Sequence, residues 1–334
     1  MSRTFALTIP RLPPELLRVV ANGYLLCRIA DTVEDEPTLG AVEKGRFLRE
    51  LASVVAGEEP AGPFARRLYP RLSEATLPAE RELVERTPCV VGITRTFNER
   101  QQAAVARCVR IMCRGMEGFG RKRSLAGLET LEDLDGYCYH VAGVVGEMLT
   151  ELFCDHSDRI ASHREKLWRL AASFGQGLQM TNILKDVWDD RDRGACWLPR
   201  DVFARHGCTL GEIRGEPRCA RFGQGLAELI GIAWLHLENA LAYTLLVPPE
   251  ERGIREFCLW ALGMAALTLR KINRHRTFTD SGQVKISRRS VAWVVRVTGM
   301  LGRRDAALRA LWWGLSRGLP QGTDPERGLP ARLR

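Results

Sequence analysis

In the stretch NGYLLCRIADTVEDEP, Tyr24, Arg28, Asp31 and Asp35 follow one another at spacings of four, three and four residues. At about 100° per residue, that spacing puts all four on one face of a helix. Glu34 stands beside them, about 60° around the helix from Asp31. A second copy lies in GLQMTNILKDVWDDRDRG, where Gln179, Asn182, Asp186 and Asp190 are spaced three, four and four. Each stripe ends in two aspartates one turn apart, about 6 Å along the axis, and such a pair repels itself unless a cation intervenes. Oxygen donors of this kind suit Mg²⁺, which takes one or two carboxylates and completes its shell with water and substrate phosphate oxygens. The chemistry expected is metal-assisted handling of a diphosphate bridged between two acidic helices. A plainer reading, acids at solvated helix ends, fits either cluster alone and fits the matched pair less well.

Cations gather beside these acids: Arg3, Arg28, Lys185, Arg191, Arg193 and, far along the chain, Lys285 and Arg288. Taken singly, each reads as a solvated surface charge. Arg28 differs, because Leu25, Leu26 and Ile29 occupy the other faces of its helix, and the polar stripe of a mostly apolar helix must find partners inside.

Long helices are needed to position such stripes, and the apolar residues supply them. Leu16, Val19, Val20 and Leu26, and again Leu167, Leu170, Phe174 and Leu178, recur at helical spacing. The pattern predicts helices over 14–36, 41–56, 64–75, 79–119, 130–155, 160–190, 223–246, 250–277 and 287–316, with Pro- and Gly-rich loops between them. The fold class expected is all-α, one helical-bundle domain over 1–316, followed by a Pro-, Gly- and Arg-rich tail at 317–334 that frays. With 334 residues, 45% of them hydrophobic, the chain can bury a large core. Ten cysteines without a C-x-x-C pair argue against a disulfide framework or structural zinc and for a reducing, cytoplasmic setting. No apolar run of about 18 residues occurs, so neither a signal peptide nor a spanning helix is expected. A net charge of +9 suits nucleic acid, anionic lipid or an anionic small substrate. With no zinc finger, RNP-like motif or lysine-rich arm, nucleic acid is not expected as a partner.

Together these residues resemble the squalene and phytoene synthase family, the head-to-head trans-isoprenyl diphosphate synthases, from residue 2 to about residue 300. SRTF at 2–5 is similar to the family's N-terminal Ser-Arg-x-Phe, and YLLCRIADTVED to its first aspartate motif. YCYHVAGVVGEM at 137–148 resembles its Tyr-Cys-x-x-Val-Ala-Gly segment, and LQMTNILKDVWDDRDRGACWLP its second aspartate motif and following flap. The resemblance implies an isoprenoid synthase bundle with a central apolar cavity. It implies that Asp31, Asp35, Asp186 and Asp190, with Glu34 as a helper, bind two or three Mg²⁺ ions that hold and ionise an allylic diphosphate. It also implies diphosphate contacts from Ser2, Arg3, Arg28 and Tyr24, a second substrate site lined by Gln179, Asn182 and Lys185, and a part for Tyr137 in steering proton and carbocation steps. A carbocation survives only against apolar and aromatic walls. Phe5, Val141, Val145, Met148, Leu149, Phe257 and Trp260 are candidates for those walls, and each equally suits ordinary core packing.

Within the family two outcomes stay open. After two prenyl diphosphates join through a cyclopropylcarbinyl diphosphate, hydride from NADPH gives squalene, whereas proton loss gives phytoene or dehydrosqualene, and water gives hydroxysqualene. FCLWALGMAALTL at 257–269 and GQVKISRRS at 282–290 look like the squalene synthase versions, which implies Lys285 and Arg288 as holders of NADPH phosphate and farnesyl diphosphate as substrate. No G-x-G-x-x-G follows a predicted strand, so the NADPH site would not be a Rossmann type. Two departures stand out: Lys185 replaces a frequent Arg, keeping charge without the planar fork, and His140 replaces a frequent Tyr. The expectation is a cytoplasmic monomer making peripheral contact with the inner face of the cell membrane. The competing reading from another class is a non-catalytic helical binding protein.

Overall fold

The computed structural model describes residues 3–213 and 220–322; among them the elements are helices, with a single isolated β-bridge between Leu128 and Pro199. The all-α expectation holds. The chain folds as two compact units, the first made of Leu12–Lys122 with Glu147–Ser162, and the second of the start of the chain through Arg11, Arg123–Gly146 and the residues from His163 onward.

In the first unit the central element is the helix Pro14–Asp35. Proline stands in its first turn, where the missing N–H costs no intrahelical bond. It buries Leu16, Val19, Val20, Leu26, Ile29 and Val33 against Ala41–Ala56, Thr87–Thr94 and Glu99–Gly120. In the second unit Arg164–Lys185 packs on Ala220–Leu246 and on the segment Tyr139–Gly143, and Arg252–Arg274 packs on Ala220–Leu246, Arg3–Thr8 and Arg288–Leu301. The contact of Arg164–Lys185 with the YCYHVAGVVG segment is glycine-dependent. A Cβ on Gly175 would stand 2.0 Å from the Ala142 carbonyl oxygen, and one on Gly146 2.0 Å from that of Ala171.

Several helices are shorter than periodicity predicts. The stretch 79–119 is three helices, Pro78–Glu85, Thr87–Thr94 and Glu99–Gly120. Pro78 and Pro88 each sit in a first turn, and the Asn98 side chain accepts from Gln101 N at 2.9 Å to start a new helix. The segment expected at 64–75 is the helix Ala61–Leu68 with one 3₁₀ turn, Tyr69–Arg71. The stretch 130–155 runs as Leu131–Cys138 and Val144–His156 joined by a π-helical turn, Tyr139–Gly143. The stretch 287–316 breaks after Leu301, giving Arg288–Leu301 and Asp305–Ser316.

Ala220–Leu246 is long and apolar enough to cross a membrane, but 67% of its apolar window is buried inside the protein, as in a core helix. At the C-terminal end, the Arg317 and Gly318 carbonyls accept from Arg270 Nη1 (3.0 Å) and Asn273 Nδ2 (2.8 Å), so the first residues of the expected tail are tied to the body. The rest of that tail, 323–334, lies outside the described residues.

Candidate active site

In the first unit the acidic stripe is built as its spacing predicts, with Arg28 at its centre. Arg28 Nη1 donates to Asp31 Oδ2 at 2.7 Å. Its Nη2 donates to Glu80, on the helix Pro78–Glu85. Burial works against the guanidinium charge, but Asp31 and Glu80 outweigh it and raise its pKa. Burial pushes the Asp31 carboxyl up to about 6; Arg28 pulls it down, and the Asp35 and Glu80 charges push it up again. Burial likewise lifts the phenol of half-buried Tyr24. Asp35 is exposed at the end of the helix. Glu34 is half-buried, and its charge adds to burial, Cys27 and Asp31 in raising the thiol of Cys113 on Glu99–Gly120. Asp35 and Glu80 thus both push against Asp31, a surplus of negative charge that a hard cation relieves.

The turn that follows is locked by Glu36, which is 1% exposed. Its carboxylate accepts from Thr38 N (3.0 Å) and Oγ1 (2.8 Å), Ser73 N (3.0 Å) and Thr76 Oγ1 (2.6 Å). Burial acts to raise its pKa, and these hydrogen bonds bring it down to about 2.

The second acidic stretch is not the single helix expected over 160–190. Arg164–Lys185 ends, Asp186 takes φ −99° and ψ 15°, and Val187–Asp192 follows. This is a bridge-region conformation. It preserves the spacing of the stripe, because Asp186 N donates to Asn182 O at 2.8 Å and Asp190 N to Asp186 O at 2.9 Å. Gln179, Asp186 and Asp190 are half-buried and Asn182 is exposed. Lys185 Nζ lies 3.1 Å from Asp186 Oδ2 and 3.3 Å from Asn182 Oδ1, and Arg193 Nη2 lies 2.8 Å from Asp190 Oδ1.

After the acids Gly194 turns with φ 76°, a left-handed conformation that glycine takes without a Cβ clash. The flap ACWLP is then pinned in place: Cys196 N donates to Ser124 O (2.9 Å), Leu128 N to Leu198 O (3.0 Å) and Arg200 N to Leu128 O (2.8 Å). Trp197 on this flap stacks on buried Tyr137, ring centroids 4.1 Å apart and planes 5° from parallel. Asp189 Oδ2 accepts from Ser281 Oγ at 2.8 Å, so the second acidic stretch also anchors the segment that leads to Lys285 and Arg288. Both of those cations are exposed, and Lys271 Nζ donates to the Lys285 carbonyl at 2.6 Å. Lys271 is thereby tied to the backbone of the segment that carries Lys285 and Arg288.

Among the described residues no group of three or more His, Cys, Asp or Glu side chains could hold a metal by itself. A Mg²⁺ ion here would take one or two carboxylates and draw the rest of its shell from water and phosphate. The candidate wall residues divide. Phe257 and Trp260 are buried, with Phe5 6.4 Å from Phe257, whereas Val141, Val145 and Leu149 are half-buried. Met148 is core, packed so closely on the helix Pro14–Asp35 that a Cβ on Gly23 would stand 3.2 Å from its Cε. Ser2 lies outside the described residues, and of Arg3 only the backbone, the first residue of Arg3–Thr8, is described.

The model of the squalene/phytoene synthase family matches residues 1–290. The chain belongs to that family. Among its curated relatives, a squalene synthase of Phoma sp. is 32% identical over 216 residues, which are 64% of this chain and 48% of that protein. A squalene synthase of Gibberella zeae is 27% identical over 276 residues, 82% of this chain and 57% of that protein. The chain thus spans about half the length of these relatives. Among solved structures, the complex of TcSQS with the ligand BPH1237 superposes with a TM-score of 0.76 at 24% identity, covering 98% of this chain and 92% of that one. A dehydrosqualene synthase in complex with ligand superposes at 0.65 and 21% identity, covering 92% and 93%. The fold is the all-α isoprenoid synthase fold of those structures.

In this member of the squalene/phytoene synthase family, four features lie outside the sequence motifs. Glu80 is the second partner of Arg28, Glu36 fastens the end of the first acidic helix, and Ser281 ties the basic segment to Asp189. A fourth is a buried polar network behind the helix of Tyr137. His236, fully buried, lies 2.8 Å from Ser173 Oγ and 3.8 Å from Asp135 Oδ1, and Asn239 Nδ2 donates to Ser173 Oγ at 3.1 Å. Each joins residues tens of positions apart, and no local periodicity marks such a pair.

Proposed function

We propose that this chain is a squalene synthase, a prenyltransferase that condenses two farnesyl diphosphates head to head through presqualene diphosphate and reduces that intermediate with NADPH to squalene. The observation that carries the reading is the Arg28 site: a guanidinium held between Asp31 and Glu80 on a helix whose acid surplus calls for a cation. The curated relatives named squalene synthases support the choice of reaction.

Asp31, Asp35, Asp186 and Asp190 would hold Mg²⁺, with Glu34 assisting. When bound, Mg²⁺ neutralises the diphosphate and so eases its departure. Arg28 and the protonated Tyr24 phenol donate to diphosphate oxygens, and Gln179, Asn182 and Lys185 serve the second substrate. As the two prenyl chains join, the first carbon–oxygen bond breaks with loss of one diphosphate, and the cyclopropane ring closes with loss of a proton. The second diphosphate then leaves presqualene diphosphate; Lys285 and Arg288 would hold NADPH, which would supply the hydride that the rearranged cation needs. Tyr137, backed by the parallel face of Trp197, offers that cation a π-face in place of water.

The test is incubation of purified protein with farnesyl diphosphate and Mg²⁺, with and without NADPH, and identification of products by mass spectrometry. Squalene formed only with NADPH is the expected result. Dehydrosqualene, hydroxysqualene or arrested presqualene diphosphate in both tubes overturns the reductive step, and acceptance of geranylgeranyl diphosphate instead makes the chain a phytoene synthase.

A further inference from the structure

Of the eight tryptophans, the two that are exposed lie on the two C-terminal helices: Trp293 (43% exposed) on Arg288–Leu301 and Trp313 (66%) on Asp305–Ser316. Met300, 62% exposed, joins them. One side of each helix is committed to the body. Val294 packs on Arg252–Arg274 so closely that a Cβ on Gly263 would stand 2.7 Å from its Cγ1, and Trp312 stacks on Trp234 with centroids 4.6 Å apart. The outward side is different. Its exposed positions on the first helix include Arg289, Trp293, Arg296 and Met300, and on the second Arg309 and Trp313, with Arg317 lying 5.2 Å over the Trp313 ring.

From Arg288 to Arg317 there are seven arginines and one acid, Asp305, giving this stretch a net charge of +6. That acid pairs with buried Arg255 at 2.5 Å. No described carboxylate pairs with Arg289, Arg296, Arg303 or Arg309. The surface therefore interleaves unpaired guanidinium groups with large apolar side chains.

We propose that this outward face docks the protein on an anionic lipid bilayer. Tryptophan favours the headgroup boundary, where its ring is buried and its N–H stays wet. Arginine beside it lays its stem along the apolar layer and donates to lipid phosphate. A nucleic acid would meet the charges but leave Met300 and both indoles in water. The small exposed residues between them, Ala292, Gly299, Ala306, Ala310 and Gly314, leave the aromatic side chains as the outermost apolar groups. The proposal is independent of the reaction assigned above.

The test is cosedimentation with vesicles of phosphatidylcholine, with and without phosphatidylglycerol, which needs no turnover. The full chain is expected to sediment with the anionic vesicles and to be released by salt. The double variants Trp293→Ser/Trp313→Ser and Arg296→Glu/Arg309→Glu are each expected to bind about tenfold or more weakly, because basic residues near an anionic surface each add to binding. Circular dichroism checks that they remain helical. If a double variant unfolds, Trp313→Ser alone, at a two-thirds exposed position, carries the test through the loss of its fluorescence blue shift on vesicles. Absence of binding to anionic vesicles, equal binding by wild type and folded variants, or retention on RNA without retention on vesicles overturns the proposal.

Discussion

The two acidic stretches use the same spacing of aspartates but are held by different means. In the first, Arg28 is 14% exposed and takes one carboxylate from its own helix and one from a helix 52 positions along the chain, Glu80, also 14% exposed. In the second, the cations are neighbours in sequence: Lys185 beside Asp186, and Arg193, 57% exposed, three positions after Asp190. The first helix runs unbroken to Asp35, where buried Glu36 fastens it, whereas the second bends at Asp186. The first stripe is paired across the fold, whereas the cations beside Asp186 and Asp190 are local and water can replace them, even though Asp189 reaches Ser281 and Arg191 reaches the Leu125 and Ile213 carbonyls. For the reaction proposed above, the first stripe should keep a fixed geometry and the second should adjust.

The largest expected effect tests whether both stretches are nevertheless needed. Asp31→Asn and Asp186→Asn should each cost several kcal/mol of transition-state stabilisation, about a thousandfold or more in turnover of farnesyl diphosphate with Mg²⁺. Melting by circular dichroism should change little in either, since Arg28 keeps Glu80 and Lys185 keeps Asn182. Full activity in either variant would remove that stretch from the metal site and end the comparison.

Next in size is the fastening of the first helix. Glu36→Gln keeps the shape of the side chain but replaces one accepting oxygen by an amide that faces donors, leaving at least one buried group unsatisfied. The expected loss is about 1–3 kcal/mol of folding stability, read as a lower melting temperature. An unchanged melt would mean that the first stretch is no better fixed than the second. A smaller change, Glu80→Gln, keeps an accepting oxygen for Arg28 but removes its charge, so that Asp31 supplies the carboxylate. Turnover should fall about tenfold, in keeping with one charge-assisted hydrogen bond, with kcat affected more than KM.

Much of this was legible in the sequence. Apolar periodicity located the helices, and the span 41–56 coincides with Ala41–Ala56 because Gly40 and Gly57 bound it on both sides. The stripe of Tyr24, Arg28, Asp31 and Asp35 followed from spacing alone. The bend at Asp186 did not, because spacing records where side chains fall and is blind to the ψ angle that interrupts a helix while its i to i+4 bonds persist. Glu80 was invisible because its partner is chosen by packing. The acid in the turn, Glu36, carries no mark of its own in the sequence, and only the donors of Ser73 and Thr76 reveal it as a lock. The division into two units left no Pro- or Gly-rich linker to find, because the first unit takes Glu147–Ser162 from the middle of the second.

The smallest expected effect is the sharpest test of the contrast. Arg193 reaches Asp190 from three positions away at 2.8 Å, with its side chain 57% exposed and that of Asp190 19% exposed. A pair so open to water gains little Coulomb energy and loses side-chain entropy, so Arg193→Ala should change folding stability by about 0–1 kcal/mol, and less as salt rises. Turnover at saturating Mg²⁺ should stay within about twofold of wild type, since removing so exposed a cation costs the site at most about that much charge stabilisation. The matched measurement is Glu80→Gln under the same conditions. If Arg193→Ala lowers turnover as far as Glu80→Gln does, the second stretch depends on a fixed cation as the first does. The distinction between a site fixed by packing and one free to adjust would then be lost.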